Sequence, residues 1–99
     1  MNIHVNGKQL NIGQSLIAYA ENQLLQVNKK YFLRPVNANI TFTKEGHRYR
    51  CEAHVHLSSG LTACCTGEAN KIYDSCQKTL LRLEKILRRH KRKIKNHYT

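Results

Sequence analysis

Apolar and polar residues alternate along four stretches of the chain, which predicts four β-strands. The first stretch is short, running from Ile3 to Val5 and ending at the turn signal Asn6-Gly7. The other three are separated by predicted turns at 44–47 and 58–60. Their apolar positions, which we expect to face the core, are Val36, Ala38, Ile40 and Phe42, then Tyr49, Cys51, Ala53, Val55 and Leu57, and then Leu61, Ala63 and Cys65.

Two further segments have a helical period. From Gln14, apolar residues recur every three or four positions, which predicts a helix of about four turns that ends before Arg34-Pro35. Gly13 or Asn11 could cap it. A second helix is predicted from about Asn70 to about His97. The apolar stripes of the two helices are Leu16, Ala20, Leu24, Val27 and Tyr31 in the first, and Cys76, Leu80, Leu83, Leu87 and Ile94 in the second.

The predicted element order is β-α-β-β-β-α, and 99 residues suffice for a single domain with one core. Each helix has one apolar stripe and each strand one apolar face, so both helices should cover the same side of one sheet. The first two strands are joined through a helix, which makes them parallel with a right-handed crossover. The sequence therefore predicts an α+β two-layer sandwich with a four-stranded mixed sheet and one polar, open face.

The second predicted helix carries unbalanced positive charge. Lys78, Lys85, Arg89 and Arg92 lie opposite its apolar stripe. The whole chain has 17 Lys and Arg residues against 6 Asp and Glu, a formal net charge of +11. A solvated helix normally mixes both signs, because like charges four residues apart repel each other. The charge pattern therefore indicates a polyanionic partner, with RNA as the first candidate.

The basic surface extends to Lys29, Lys30 and Arg34 at the end of the first helix. A rigid surface of this kind contacts phosphates and recognises backbone geometry rather than base identity. Aromatic residues fall mostly at inner positions. The open sheet face instead carries the polar residues Asn37, Asn39, Thr41, His54 and Thr62. This pattern argues against stacking of single-stranded bases on the sheet.

Other function classes have little support in the sequence. No apolar segment approaches the roughly 18 residues that a membrane span needs, and there is no signal peptide, so we expect a cytoplasmic protein. The four cysteines are expected to be reduced thiols, with neither a disulfide nor a zinc site. We expect no cofactor, no metal and no catalytic residue. The enzyme alternative is a ribonuclease with His54 and His56, on one strand face, as general acid and base.

Segments along the whole chain form a recognisable series. A strand with a polar-Gly turn (Ile3 to Gly7) precedes a helix with Leu16 and Tyr19 near its start. Gly60-Leu61-Thr62-Ala63 precedes Gly67-Glu68-Ala69 and Ile72-Tyr73, and the basic ending at 83–97 is the most specific segment. In order, length and ending, the chain resembles the ribosome hibernation-promoting factor family. That family, also called the sigma-54 modulation protein family, includes the ribosome-associated inhibitor once called protein Y. The chain is most similar to its α-proteobacterial branch.

This resemblance implies a fold similar to a double-stranded-RNA-binding domain. It also implies binding to the rRNA of the small ribosomal subunit, in the channel of messenger RNA and of the A- and P-site transfer RNAs. Competition with these RNAs would inhibit translation and stabilise idle ribosomes in starvation or stationary phase, with no membrane or small-molecule substrate involved. The rRNA-binding residues that the resemblance implies are Lys78, Arg82, Lys85, Arg88, Arg89, Arg92, Lys29 and Lys30.

The chain departs from the family pattern at two helix starts. Gly13 stands where the family usually has Thr, and Lys71 stands where it usually has Asp, so we expect Asn70 to cap the second helix. Long family members carry a second domain. Residues 1–99 are expected to form one ribosome-binding domain, either of a short member or at the start of a longer product. A general double-stranded-RNA-binding module is the non-enzymatic alternative.

Overall fold

The computed structural model describes residues 2–30 and 35–97, and the side chains of these residues except Pro35 and 92–97. Within these ranges the predicted order of elements is confirmed. The elements are β1 (Asn2–Gly7), α1 (Gln14–Lys30), β2 (Pro35–Glu45), β3 (Arg48–Leu57), β4 (Thr62–Ala69) and α2 (Ile72–His97).

The four strands form one mixed sheet in the order β1-β2-β3-β4. β1 is parallel to β2, with Val5 opposite Ile40, and the other two pairs are antiparallel. The turn between β2 and β3 contains Gly46 at φ 62°, a left-handed conformation that glycine adopts at little cost. The predicted mixed sheet is confirmed, and β1 and β4 are its edges.

Backbone hydrogen bonds define where the two helices begin. The Ile17 N–H donates to the Gly13 carbonyl at 3.2 Å, which places Gly13 at the cap position of α1. The Ser75 N–H donates to the Lys71 carbonyl at 3.1 Å, so α2 begins directly after Lys71. The expectation that Asn70 caps α2 is therefore wrong. Lys71 has no side-chain acceptor to offer, and the start of α2 depends on its packing against the sheet.

The core lies between the two helices and one face of the sheet. The buried positions of α2 include the four predicted ones, Cys76, Leu80, Leu83 and Leu87, together with Ser75 and Thr79. Those of α1 include Leu16, Ala20 and Leu24. Ile94 and Tyr31 lie outside the described side chains. At about 25 cal/mol for each Å² of apolar surface removed from water, burial on this scale dominates the stability of the fold.

Val36 is the strand position at which the alternation pattern gave a wrong prediction. Its side chain is 48% exposed, whereas Ala38, Ile40 and Phe42 on the same strand are fully buried. The register of β2 with β3 shifts between Pro35 and Asn37. Val36 therefore lies in an irregular stretch at the start of β2.

α2 approaches the sheet most closely at Gly67 in β4. A Cβ atom at Gly67 would lie 2.6 Å from Thr79 Oγ1 and 2.8 Å from Thr79 N. Thr79 is buried, and its hydroxyl is within hydrogen-bonding distance of the Ser75 carbonyl (2.8 Å) and the Cys51 carbonyl (3.1 Å). The missing side chain at Gly67 thus lets a polar group of α2 reach the backbone of β3.

We expect Gly67→Ala to lower the free energy of unfolding by about 1–3 kcal/mol, because the added methyl group overlaps helix backbone that has no room to move. Gly13→Ser is the control. No atom lies within 4 Å of a Cβ at Gly13, and serine is a preferred helix cap. Urea denaturation of both variants measures the difference, and equal stability of the two would contradict this account.

Candidate nucleic-acid interface

Five side chains of α2 define the cationic face: Lys78, Arg82, Lys85, Arg88 and Arg89. All five are exposed. Lys78, Lys85 and Arg89 lie opposite the buried positions Leu83 and Leu87, with Arg82 and Arg88 on either side of them, since residues advance by about 100° each around a helix. The core therefore fixes the direction in which these charges point.

Two members of the cationic face also contact the edge of the sheet. Lys78 Nζ donates to the Glu68 carbonyl at 3.1 Å, and Arg82 Nη1 donates to the Thr66 carbonyl. Both carbonyls belong to β4, an edge strand. An uncovered strand edge invites pairing with another chain, and positive side chains across it prevent this. Each group uses only part of its donor capacity here, so phosphate contacts remain possible.

Arg48 joins this end of the cationic face. Its Nη2 donates to the Glu68 carbonyl at 3.3 Å, the same acceptor that Lys78 uses. The sequence analysis did not include Arg48 among the site residues. The sequence alone does not give the register between β3 and β4. In the structure Glu68 is opposite Arg50, and this alignment brings Arg48, two residues away, within reach of the Glu68 carbonyl.

Lys29 and Lys30 belong to the predicted set but lie on α1 and not on the cationic face. Lys30, at the end of α1, forms a 2.8 Å ion pair with Glu84 of α2, and its side chain is 64% exposed. Lys29 is exposed on the same turn. The Arg92 side chain and Arg34 lie outside the described part of the structure. Among the described side chains of the predicted set, Lys29, Lys85, Arg88 and Arg89 form neither an ion pair nor a contact with a carbonyl.

The opposite face of the sheet is polar, and two of its histidines, His54 and His56, have different partners. His56 Nδ1 lies 2.9 Å from Thr62 Oγ1. His54 lies between Glu52 and Cys64, at 2.9 and 3.0 Å. A ribonuclease would need both rings to converge on one phosphate, and this geometry does not favour that alternative.

The open face carries no Phe, Tyr or Trp ring in the described parts of β2, β3 and β4. The outward positions of these strands hold Asn, Thr, Cys, Arg, Glu and His residues. The ring of Phe42 is fully buried on the other side, and Tyr19 and Tyr73 contact each other edge to face at 5.1 Å between ring centroids. This arrangement agrees with backbone recognition and not with base stacking.

Neither a metal-binding cluster nor a membrane-spanning helix occurs among the described residues. Among residues 2–30 and 35–97, no group of three or more His, Cys, Asp or Glu side chains is placed to hold a metal ion. No helix in these ranges is both long enough and apolar enough to cross a bilayer.

We expect the double variant Lys78→Met, Arg82→Met to be less stable by about 1 kcal/mol, because two carbonyls of β4 lose charged donors. The control is Lys85→Met, Arg88→Met, which removes the same charge from groups without a carbonyl contact. It should stay within about 0.5 kcal/mol of the unmodified chain. Urea denaturation compares the two, and an equal loss in both would show that the β4 contacts contribute nothing.

Comparison with known proteins gives concordant matches. The sequence profile of the family described as sigma 54 modulation protein / S30EA ribosomal protein matches residues 3–95. A ribosome hibernation promotion factor of Rhizobium meliloti (strain 1021) is 34% identical over 98 residues, which are 99% of this chain and 52% of that protein. One from Bradyrhizobium diazoefficiens is 30% identical over 96 residues, 97% of this chain and 47% of that protein. The chain thus spans about half the length of these relatives.

Two solved structures share the fold. A ribosomal subunit interface protein from Coxiella burnetii superposes with a TM-score of 0.83 at 22% identity, covering 92% of this chain and 98% of that one. The protein Y N-terminal domain from Thermus thermophilus gives a TM-score of 0.81 at 24% identity, covering 91% and 99%. The predicted α+β fold class is confirmed.

Proposed function

The chain belongs to the sigma 54 modulation protein / S30EA ribosomal protein family, and we propose that it acts as a ribosome-associated hibernation factor. The predicted family resemblance is thereby confirmed. Both curated relatives carry the name ribosome hibernation promotion factor and come from α-proteobacteria, the branch that the sequence resembles. Residues 1–99 form one ribosome-binding domain in this proposal.

The proposed partner is the small ribosomal subunit, and the proposed ligand is its rRNA in the channel of messenger RNA and of the A- and P-site transfer RNAs. The observation that carries this is the cationic face. Lys85, Arg88 and Arg89 project from neighbouring turns of a helix whose other side is fully buried at Leu83 and Leu87. A helix held in this way loses little backbone freedom on binding, so a preformed rRNA surface is a better match than a flexible strand.

The mechanism requires occupancy only. By filling the channel, the domain competes with messenger and transfer RNA, which inhibits translation and stabilises idle ribosomes in starvation or stationary phase. No bond is made or broken in this mechanism, which requires no catalysis, cofactor, membrane or small-molecule substrate. The proposed location is the cytoplasm. The separate partners of His54 and His56 support a role without RNA cleavage.

We expect the triple variant Lys85→Glu, Arg88→Glu, Arg89→Glu to lose at least about 100-fold in affinity for the small subunit, since three phosphate contacts become repulsive. The control is Lys8→Glu, Lys44→Glu, Lys71→Glu, which changes the net charge equally at exposed positions outside the cationic face. Co-sedimentation with small subunits in a sucrose gradient measures both. Equal losses would show that binding depends on total charge alone.

Competition for the small subunit, measured in the same gradient, tests the proposed binding site. Added transfer RNA or messenger RNA should displace the unmodified protein from the subunit. Equal or tighter binding to free RNA duplexes would identify a general double-stranded-RNA-binding module instead, and shortened RNA after incubation would identify a ribonuclease.

Salt dependence provides an independent measurement. If about five phosphates are neutralised, a plot of the logarithm of affinity against that of salt concentration should have a slope of about −3.5 to −4.5. Filter binding between low and physiological ionic strength gives this slope. An affinity that does not change with salt would rule out phosphate contacts as the source of binding.

A further inference from the structure

Three side chains on the open sheet face form a connected row of carboxylate, imidazole and thiol. His54 Nε2 lies 2.9 Å from Glu52 Oε1, and His54 Nδ1 lies 3.0 Å from Cys64 Sγ. Glu52 and His54 are two residues apart on β3 and share its outer face, and Cys64 is directly opposite His54 on β4. The row lies across the sheet from the helices and the cationic face.

The hydrogen bonds determine which nitrogen of His54 carries the proton. A carboxylate can only accept, so the Nε2 beside Glu52 is the donor in neutral His54. Nδ1 is then an acceptor, and it faces the Cys64 thiol. A nucleophile next to a base, with that base oriented by a third group, is the arrangement that activates cysteine in enzymes.

The surroundings of the row leave the thiol open to solvent. Cys64 is exposed, and the His54 and Glu52 side chains are 44% and 43% exposed. Asn39 of β2, opposite His54, contributes no charge. The nearest cation on the same face of β3, Arg50, is oriented toward Glu45, at 3.9 Å.

The other three cysteines are in different environments. Cys65 points to the helix side, is partly buried, and has its pKa raised to about 11, mainly by burial. Cys51 and Cys76 are fully buried against each other, and their hydrogen bond together with burial raises the pKa of Cys51. Access and a neighbouring base both control cysteine reactivity. Of the four cysteines, Cys64 is the exposed one, and its sulfur lies 3.0 Å from His54 Nδ1.

We propose that Cys64 is a base-activated modification site that forms a mixed disulfide with a low-molecular-weight disulfide, such as that of a thiol-containing peptide. His54 Nδ1 takes the proton of Cys64, and Glu52 stabilises the resulting imidazolium. The thiolate attacks one sulfur of the disulfide, whose S–S bond breaks as a new one forms at Cys64 Sγ. The other half leaves as a thiolate and receives the proton from His54. Cys64 is oxidised, and the released half is reduced.

The fold also determines how the mixed disulfide at Cys64 can be removed. Cys65 is adjacent in sequence but on the opposite face, and Cys51 and Cys76 are buried, so no other thiol of the chain is placed to attack the mixed disulfide. Its removal requires an external thiol. The modification is therefore reversible and reports the thiol–disulfide balance of the surroundings.

The test uses oxidised glutathione as the probe, with intact-mass spectrometry and peptide mapping. We expect one glutathionyl group to be added, at Cys64, and Cys64→Ser to abolish this addition. His54→Gln should slow the reaction by at least about tenfold, because the base is lost, and Glu52→Gln should slow it several-fold. His56→Gln is the matched control, since His56 lies on the same face but contacts Thr62 instead of a thiol, and its rate should change less than twofold.

Two results would overturn the proposal. One is modification of Cys65, Cys51 or Cys76 as fast as that of Cys64 in the folded protein. The other is an unchanged rate in His54→Gln while circular dichroism shows the native fold. Alkylation by iodoacetamide provides a second readout, because the iodide that it releases needs no proton from His54. Its rate therefore depends on formation and access of the Cys64 thiolate alone. None of these outcomes depends on ribosome binding, so this proposal and the proposed function stand or fall separately.

Discussion

The docking of α2 onto β3 and β4 is the interaction on which the rest of the molecule depends. Cys76, Leu80, Leu83 and Leu87 cover the sheet over three turns, and the absence of a side chain at Gly67 lets the helix come close enough for Thr79 to reach the β3 backbone. This contact fixes the rotation of α2 about its own axis. The direction of every charge on the opposite side follows from that rotation.

Charge and stability are opposed along α2. A run of like charges repels itself by a few tenths of a kcal/mol for each pair at helical spacing, whereas burial of the apolar stripe contributes roughly 1.5–3 kcal/mol per large side chain. Burial wins by a wide margin, so the helix can carry a surface that would be unfavourable in isolation. Lys78 and Arg82 offset part of the repulsion by donating to the edge of β4, which connects the stability of the sheet to the cationic face.

Features with a local period could be predicted from the sequence, and features set by register could not. The buried stripe of α2 and the inner faces of the strands follow from periods of 3.6 and 2. Val36 fails because the register of β2 with β3 shifts at that point, and Asn70 fails because α2 begins directly after Lys71. The meeting of Arg48 with Lys78, and of His54 with Cys64, depends on which residues of β3 and β4 lie side by side. When one strand shifts by two residues along the other, the alternation of inner and outer side chains stays the same. The alternation therefore does not indicate which of these registers forms.

The two-layer architecture also separates two kinds of chemistry. Both helices cover one face of the sheet, so the cationic face of α2 and the row of Glu52, His54 and Cys64 are on opposite sides of the core. A group attached to Cys64 therefore leaves the side chains of the cationic face in place. It would alter ribosome binding only if the open sheet face is itself covered in the complex. The single sheet thus lets one small domain present a rigid surface for a polyanion and, independently, a thiol exposed to solvent.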